Sequence, residues 1–216
     1  MDFEQARFNM IEQQIRPWDV LAPDVLDLLG AVKREDFVPA AYRNLAFTDM
    51  EIPLPGGECM LAPRVEARML QELAPRKHEW VLEVGTGSGF VAALLGHCAA
   101  QVMSLEIHPE LADSAQQRLR QCGVMNATVR CMDASRELPP GEFDAILLSG
   151  SVAQIPAALV QRLKPGGRLC AIVGDTPVMR GQLLTRVGAA ESKVVDLFDT
   201  VAPRLHGFAE TPRFRF

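Results

Sequence analysis

The chain has 216 residues, 48% of them hydrophobic and 23% charged, with a formal net charge of −5. That length supports one ample core, and no apolar stretch reaches the ~18 residues a membrane span requires. The acidic balance gives no basic footprint for nucleic acid, so neither nucleic acid nor membrane is expected as a partner.

Met1 opens a polar segment with neither a basic n-region nor an apolar h-region, so no secretion signal is expected there. Helical spacing appears at Phe3, Phe8, Ile11 and Ile15, and Pro17 should end that segment by pushing its predecessor out of helical space. A second helix is expected from Pro23, with Val25, Leu26, Leu29 and Val32 on one side. Phe37 and Val38, within R-E-D-F-V-P (Arg34 to Pro39), read as anchors into the main body. A loop with Pro53, Pro55, Gly56 and Gly57 leads through E-C-M-L-A-P (Glu58 to Pro63) into a helix over Arg64 to Leu73.

From Trp80 onward strands and helices alternate, the pattern of a mostly parallel sheet with helices on both faces. Strands are predicted at Trp80 to Val84, Gln101 to Glu106, Ala127 to Cys131, Phe143 to Leu148 and Arg168 to Val173. A helix over Pro109 to Cys122 stops at Gly123, and Lys164 to Gly167 reads as a turn. Gln182 to Val187 and Lys193 to Thr200 look like two closing strands. Arg213 and Arg215 read as a solvated tail.

The informative stretch is V-L-E-V-G-T-G-S-G-F, Val81 to Phe90. A strand drops into Gly85, Gly87 and Gly89 and emerges as a helix. Without Cβ atoms the turn is tight and a ligand can touch the main chain, while the helix directs free N–H groups at it. A dinucleotide turn needs a small residue where Phe90 stands, so pyrophosphate is disfavoured. The next strand ends in Glu106, about 20 residues beyond Gly85, where a β-α-β unit places a carboxylate on a ribose hydroxyl. Asp133 follows the third strand. Gly85, Glu106, Asp133 and Ser149 all fall at strand carboxyl ends, where ligands of such sheets collect.

Five cysteines, Cys59, Cys98, Cys122, Cys131 and Cys170, show no C-x-x-C spacing and fit reduced thiols in a cytoplasm. His78, His97, His108 and His206 are isolated, and no pair has the spacing of a zinc motif, so no metal site is expected.

The G-x-G-x-G spacing after Glu83 resembles the first motif of class I S-adenosylmethionine-dependent methyltransferases. Taken with R-E-D-F-V-P, P-L-P-G-G (Pro53 to Gly57), F-D-A-I (Phe143 to Ile146) and L-K-P-G-G-R-L (Leu163 to Leu169), the chain from about Arg7 to Pro203 resembles the protein-L-isoaspartate O-methyltransferase family. The resemblance implies a Rossmann-like, doubly wound α/β fold with an N-terminal helical extension. It implies one domain, with helices and a cofactor-covering loop in residues 1–75 and the core with C-terminal strands in residues 76–216. S-adenosylmethionine would be held by Glu83, Gly85, Thr86, Gly87, Ser88, Gly89, Glu106, Ile107, Asp133 and Ala134, with Glu106 on the ribose and Asp133 near the adenine. The partner it implies is a protein or peptide with isoaspartyl residues, the methyl going to the free carboxyl to begin repair; the oligomeric state is left open.

One departure stands out. The family has T-I-S-x-P in the covering loop, its serine facing the reacting carboxyl, whereas this chain has C-M-L-A-P, with Cys59 at the threonine position and Leu61 at the serine position. Cys59, Met60, Leu61, Ala62 and Ser149 are the expected acceptor pocket, and serines after the fourth strand are possible replacement hydroxyls. A leucine cannot donate a hydrogen bond. Methylation of another acceptor, or cofactor binding without catalysis, therefore stay open as alternatives.

Overall fold

The computed structural model describes residues 2–188 and 191–210. Arg213 and Arg215 lie outside them. Helix α1 (Phe3–Met10) starts at Asp2, whose carboxylate accepts the Glu4 and Gln5 N–H groups, and α2 spans Pro23–Ala31. A two-stranded hairpin, β1 (Ile52–Pro53) and β2 (Cys59–Met60), precedes α3 (Pro63–Leu73). Then follow β3 (Trp80–Val84), α4 (Phe90–Cys98), β4 (Gln101–Glu106), α5 (Pro109–Gln121), β5 (Ala127–Cys131), β6 (Phe143–Val152), α6 (Ala157–Val160), β7 (Leu163–Asp175), β8 (Val178–Arg186) and β9 (Ser192–Thr200).

The main sheet has the order β5-β4-β3-β6-β7-β8-β9. The first five strands are parallel, and β8 and β9 return antiparallel. Since β4 lies on one side of β3 and β6 on the other, the chain reverses direction there and leaves a crevice at the carboxyl end of β3. The parallel strands are buried on both faces, so their apolar runs split by alternation. Val81, Ala145, Leu147, Cys170 and Ile172 meet α1 to α5, while Leu82, Val84, Ile146, Leu148, Leu169 and Ala171 form a second cluster with Leu159 of α6. The expectation of helices on both faces is met unequally, because among the described residues only the four-residue α6 and loops cover the second face.

Three local expectations change. The helical path does not end before Pro17: it continues through Ile11–Ile15 into a tight turn Arg16–Trp18 and reverses at Asp19, with φ 59°. Lys164 to Gly167 do not precede a strand but form an excursion inside β7, between Leu163 opposite Phe143 and Arg168 opposite Ala145. Strand β6 runs past Leu148 to Val152 because, after an irregularity, Ser151 and Val152 pair with Ile172 and Val173 of β7, and Ser151 also exchanges hydrogen bonds with the Pro203 to Leu205 segment: Ser151 N–H to Pro203 O at 2.7 Å, Leu205 N–H to Ser151 O at 2.9 Å. Among the described residues no helix is long and apolar enough to cross a membrane.

Candidate active site

At the crevice, β3 runs into the glycine turn. Gly85 and Thr86 donate to the Leu105 carbonyl at 2.9 and 3.2 Å, so the turn is pinned to the end of β4. Gly85 and Gly87 have φ of 92° and 52°, the left-handed region that glycine alone enters freely. A Cβ on Gly85 would fall 2.8 Å from Leu205 Cδ2. Gly89 is turned away: a Cβ there would lie 3.1 Å from Ala115 Cβ of α5, and its N–H bonds Thr86 O within the turn. It packs against α5 and lines neither of the compartments described below.

Glu106 is buried at the end of β4. One oxygen accepts the Gly87 N–H at 2.8 Å and the other the His108 N–H at 3.0 Å, which fixes the carboxylate at the cleft wall. Asp133 accepts both the N–H and the O–H of Ser135, at 3.0 and 2.6 Å, and pairs with Arg136 at 3.1 Å. The Ser135 hydroxyl above all, joined by the Ser135 N–H and the Arg136 charge, holds its carboxyl below the usual value against the opposing effect of burial.

These residues enclose a cleft of about 540 Å³ lined by Val84, Gly85, Gly87, Glu106, Ile107, Met132, Asp133 and Ala134, with Leu205, His206 and Phe208 as its roof. A smaller compartment of about 260 Å³ is lined by Met60, Leu61, Glu66, Glu83, Thr86, Ser88 and Val91. Cys59, Gly85, Gly87 and Ser149 border both, so the two connect at the turn. Ala62 is not on either wall; its carbonyl receives the Val65 and Glu66 N–H groups at the start of α3.

Glu83 lies fully buried beneath the turn. Its oxygens accept Ser149 O–H at 2.8 Å and Ser104 O–H at 2.6 Å, and Thr86 Oγ1 is 2.5 Å from the Ser104 hydroxyl. Burial pushes the Glu83 carboxyl up to about 8, the serine hydrogen bonds pull the other way, and the neighbouring Glu106 and Glu66 charges add to the rise. Ser149 is therefore not a free replacement hydroxyl, since its O–H is committed to Glu83.

The covering loop is placed by buried charges whose partners lie far along the chain. Arg34 is buried and donates to Leu61 O at 2.8 Å, to Ala46 O at 3.0 Å and to the Glu66 carboxylate, while its guanidinium stacks 4.8 Å from the Phe90 ring centre. Burial raises the Glu66 carboxyl, with the Arg34 charge opposing. Glu35 pairs with buried Arg7 at 2.5 Å, and Phe37 meets Phe90 edge-on at 5.6 Å. The R-E-D-F segment thus docks the N-terminal helices and grips the loop backbone. Leu61 is buried, 6% exposed, and borders the small compartment. Burial first, and then nearby carboxylates, push the Cys59 thiol up to about 12, so it stays protonated and is no nucleophile.

A glycine turn at the topological switch, with acids at the next two strand ends, defines a class I methyltransferase type of α/β protein. The sequence matches the Protein-L-isoaspartate(D-aspartate) O-methyltransferase (PCMT) family model over residues 5–199. It is 37% identical over 184 residues to the protein-L-isoaspartate O-methyltransferase of Methanospirillum hungatei, covering 84% of this chain and 83% of that one. Its identity to the Brucella anthropi protein of the same name is 35% over 198 residues, 91% of each. In fold it is similar to a Plasmodium falciparum protein-L-isoaspartate O-methyltransferase solved with S-adenosyl-L-homocysteine, with a TM-score of 0.80, 18% identity and coverage of 96% and 99%. The chain belongs to the protein-L-isoaspartate(D-aspartate) O-methyltransferase family.

Proposed function

We propose that this chain transfers the sulfonium methyl of S-adenosylmethionine to the free carboxyl of isoaspartyl residues in damaged proteins, as a first step of repair in the cytoplasm. The observation that carries this reading, beside family membership, is the two-compartment cleft joined at Gly85 and Gly87. In this reading the adenosine lies in the larger compartment, with Glu106 on the ribose hydroxyls and Asp133 beside the adenine. The amino-acid end turns past Gly87 into the smaller one, where Glu83 faces its ammonium. Five free cysteines agree with a reducing compartment.

The chemistry asks little of side chains. A carboxylate is already ionised near neutral pH, so attack on the methyl carbon needs no general base. The bond formed is carboxylate oxygen to methyl carbon, the bond broken is methyl carbon to sulfur, and the electron pair stays on sulfur as the neutral thioether. What the protein supplies is alignment and exclusion of water. The buried Leu61 loop, held by Arg34, closes the small compartment against solvent.

The test is transfer of labelled methyl to an isoaspartyl peptide and to the same peptide with normal aspartate. Label on the isoaspartyl peptide alone is expected. Label appearing only on other components of a cell extract would move the acceptor elsewhere and favour the same scaffold acting on a different carboxyl.

A further inference from the structure

Three side chains from distant parts of the sequence meet at the outer rim of the larger compartment. Glu58 Oε1 is 3.1 Å from His108 Nε2 and 2.7 Å from His206 Nε2, and the two imidazole rings stand nearly perpendicular, 5.9 Å between centres. One ligating atom from each residue lies within 4.8 Å of the other two. Two imidazoles converging on a single carboxylate oxygen is a modest hydrogen-bonding arrangement but a good donor set for a metal ion. A His₂Glu set leaves one position open on a tetrahedral ion, and imidazole nitrogen favours zinc-like ions over magnesium or calcium.

The distances suit that ion. Bonds of about 2.0–2.1 Å in a tetrahedron separate ligand atoms by roughly 3.3–3.5 Å. The two contacts to Glu58 are slightly shorter than this, so small side-chain rotations open room for a cation between the three. The backbones that carry them are fixed. Glu58 closes the β1–β2 hairpin by accepting the Leu54 N–H at 2.8 Å, His108 donates its own N–H to Glu106, and His206 follows Leu205, whose N–H is bonded to Ser151. His206 is 57% and His108 37% exposed, so an ion can reach the site from solvent.

We propose that Glu58, His108 and His206 bind one divalent transition-metal ion of the zinc class, tying the covering hairpin and the roof segment to the end of β4. The ion would sit outside the small compartment of Glu83 and Leu61, so its role is to hold the cleft walls together and not to act on the methyl group. This inference rests on the side-chain geometry alone and stands whichever carboxyl is the acceptor.

The test titrates the ligand-free chain, reduced with a non-chelating phosphine, with Zn²⁺ by calorimetry and with Co²⁺ by visible absorption. Expected are one ion per chain and cobalt bands of a nitrogen and oxygen set. His206→Ala, His108→Ala and Glu58→Gln, each checked for folding by its melting curve, should weaken binding by more than the roughly 10–100-fold that follows loss of an outer-shell partner. Added Zn²⁺ should also raise the melting temperature of the wild type and leave that of His108→Ala/His206→Ala unmoved. Absence of saturable binding, equal binding by the double variant, or a thiolate-to-cobalt charge-transfer band overturns the assignment, the last two placing the ion elsewhere on the chain.

Discussion

Cofactor binding should expel a proton from Glu83. In the ligand-free chain burial holds this carboxyl at about 8, so near pH 7 it is mostly protonated. In the proposed binding mode the cofactor's ammonium faces Glu83, and an opposite charge at close range lowers a carboxyl by about 1–3 units. With a fall of about two units, to about 6, the chain would release about 0.8 proton per cofactor at pH 7 and only about 0.1 at pH 5 or pH 9. Affinity should follow, with binding about 25-fold tighter at pH 8 than at pH 6. The assay is calorimetry of S-adenosylhomocysteine, which carries the ammonium without the sulfonium, in buffers of different ionisation enthalpy. Glu66 is raised too and borders the same compartment, so Glu83→Gln is the control: it should remove the buffer dependence at pH 7. Heats that are identical in all buffers, or a release that survives Glu83→Gln, would refute the reasoning. The same shift affects stability with a definite sign. Between about 4.5 and 8 the unfolded carboxyl holds fewer protons than the folded one, so this contribution is full below the unfolded value and lost as pH rises through 8.

Gly87→Val should abolish cofactor binding: it forces a β-branched residue into φ 52°, at a cost of about 1–2 kcal/mol, and sets a Cβ 3.3 Å from Leu54 Cδ1 in the path of the ligand; a folded variant with unchanged affinity would show that the ligand does not cross this turn. Arg34→Met leaves the Glu66 carboxyl unpaired in the core, where burial keeps it protonated, and strips the Leu61 and Ala46 carbonyls of their donor; at about 1–3 kcal/mol per buried group left without its partner, the loss of about 3–5 kcal/mol should lower the melting temperature by roughly 10 °C, and a melting curve within about 2 °C of wild type contradicts the anchor role. Leu61→Ser restores the hydroxyl of the family motif and should raise kcat/KM on isoaspartyl peptide by about 10–100-fold, the equivalent of a charged hydrogen bond of about 1.5–3 kcal/mol, while lowering stability because the leucine is buried. A fall in rate would make Leu61 part of a wall fitted to another acceptor.

The strands around the cleft were legible because their signals are local. Trp80–Val84, Gln101–Glu106 and Ala127–Cys131 are found where apolar runs and strand-end acids place them. What was not legible depends on partners far along the chain. Ser149 to Ser151 lie past the predicted end of the fourth strand, yet they extend β6, because Ser151 pairs with Ile172 of β7 and hydrogen-bonds to a segment some 50 residues later. Arg7, Arg34, Glu35 and Glu66 show no local sign of burial, yet each is buried against a counter-charge about 30 residues away. The roof of Leu205, His206 and Phe208 carries no motif of its own. The convergence of Glu58, His108 and His206 escapes spacing rules because those rules see only ligands close in sequence. Phe90 did carry a signal against a dinucleotide, but its actual work, as the platform for Arg34 and Phe37, needed the fold.

Arg34 holds the covering loop by the carbonyl of Leu61 and not by its side chain. Address and cargo are thereby specified separately: the guanidinium delivers the backbone of residue 61 to the same spot whatever group hangs from it. An exchange of chemistry at that spot, hydroxyl for isobutyl or the reverse, needs no rebuilding of the loop around it. The scaffold therefore has an interchangeable tooth on the wall of the smaller compartment, and comparing side chains at position 61 within one unchanged frame tests what that tooth does to substrate choice.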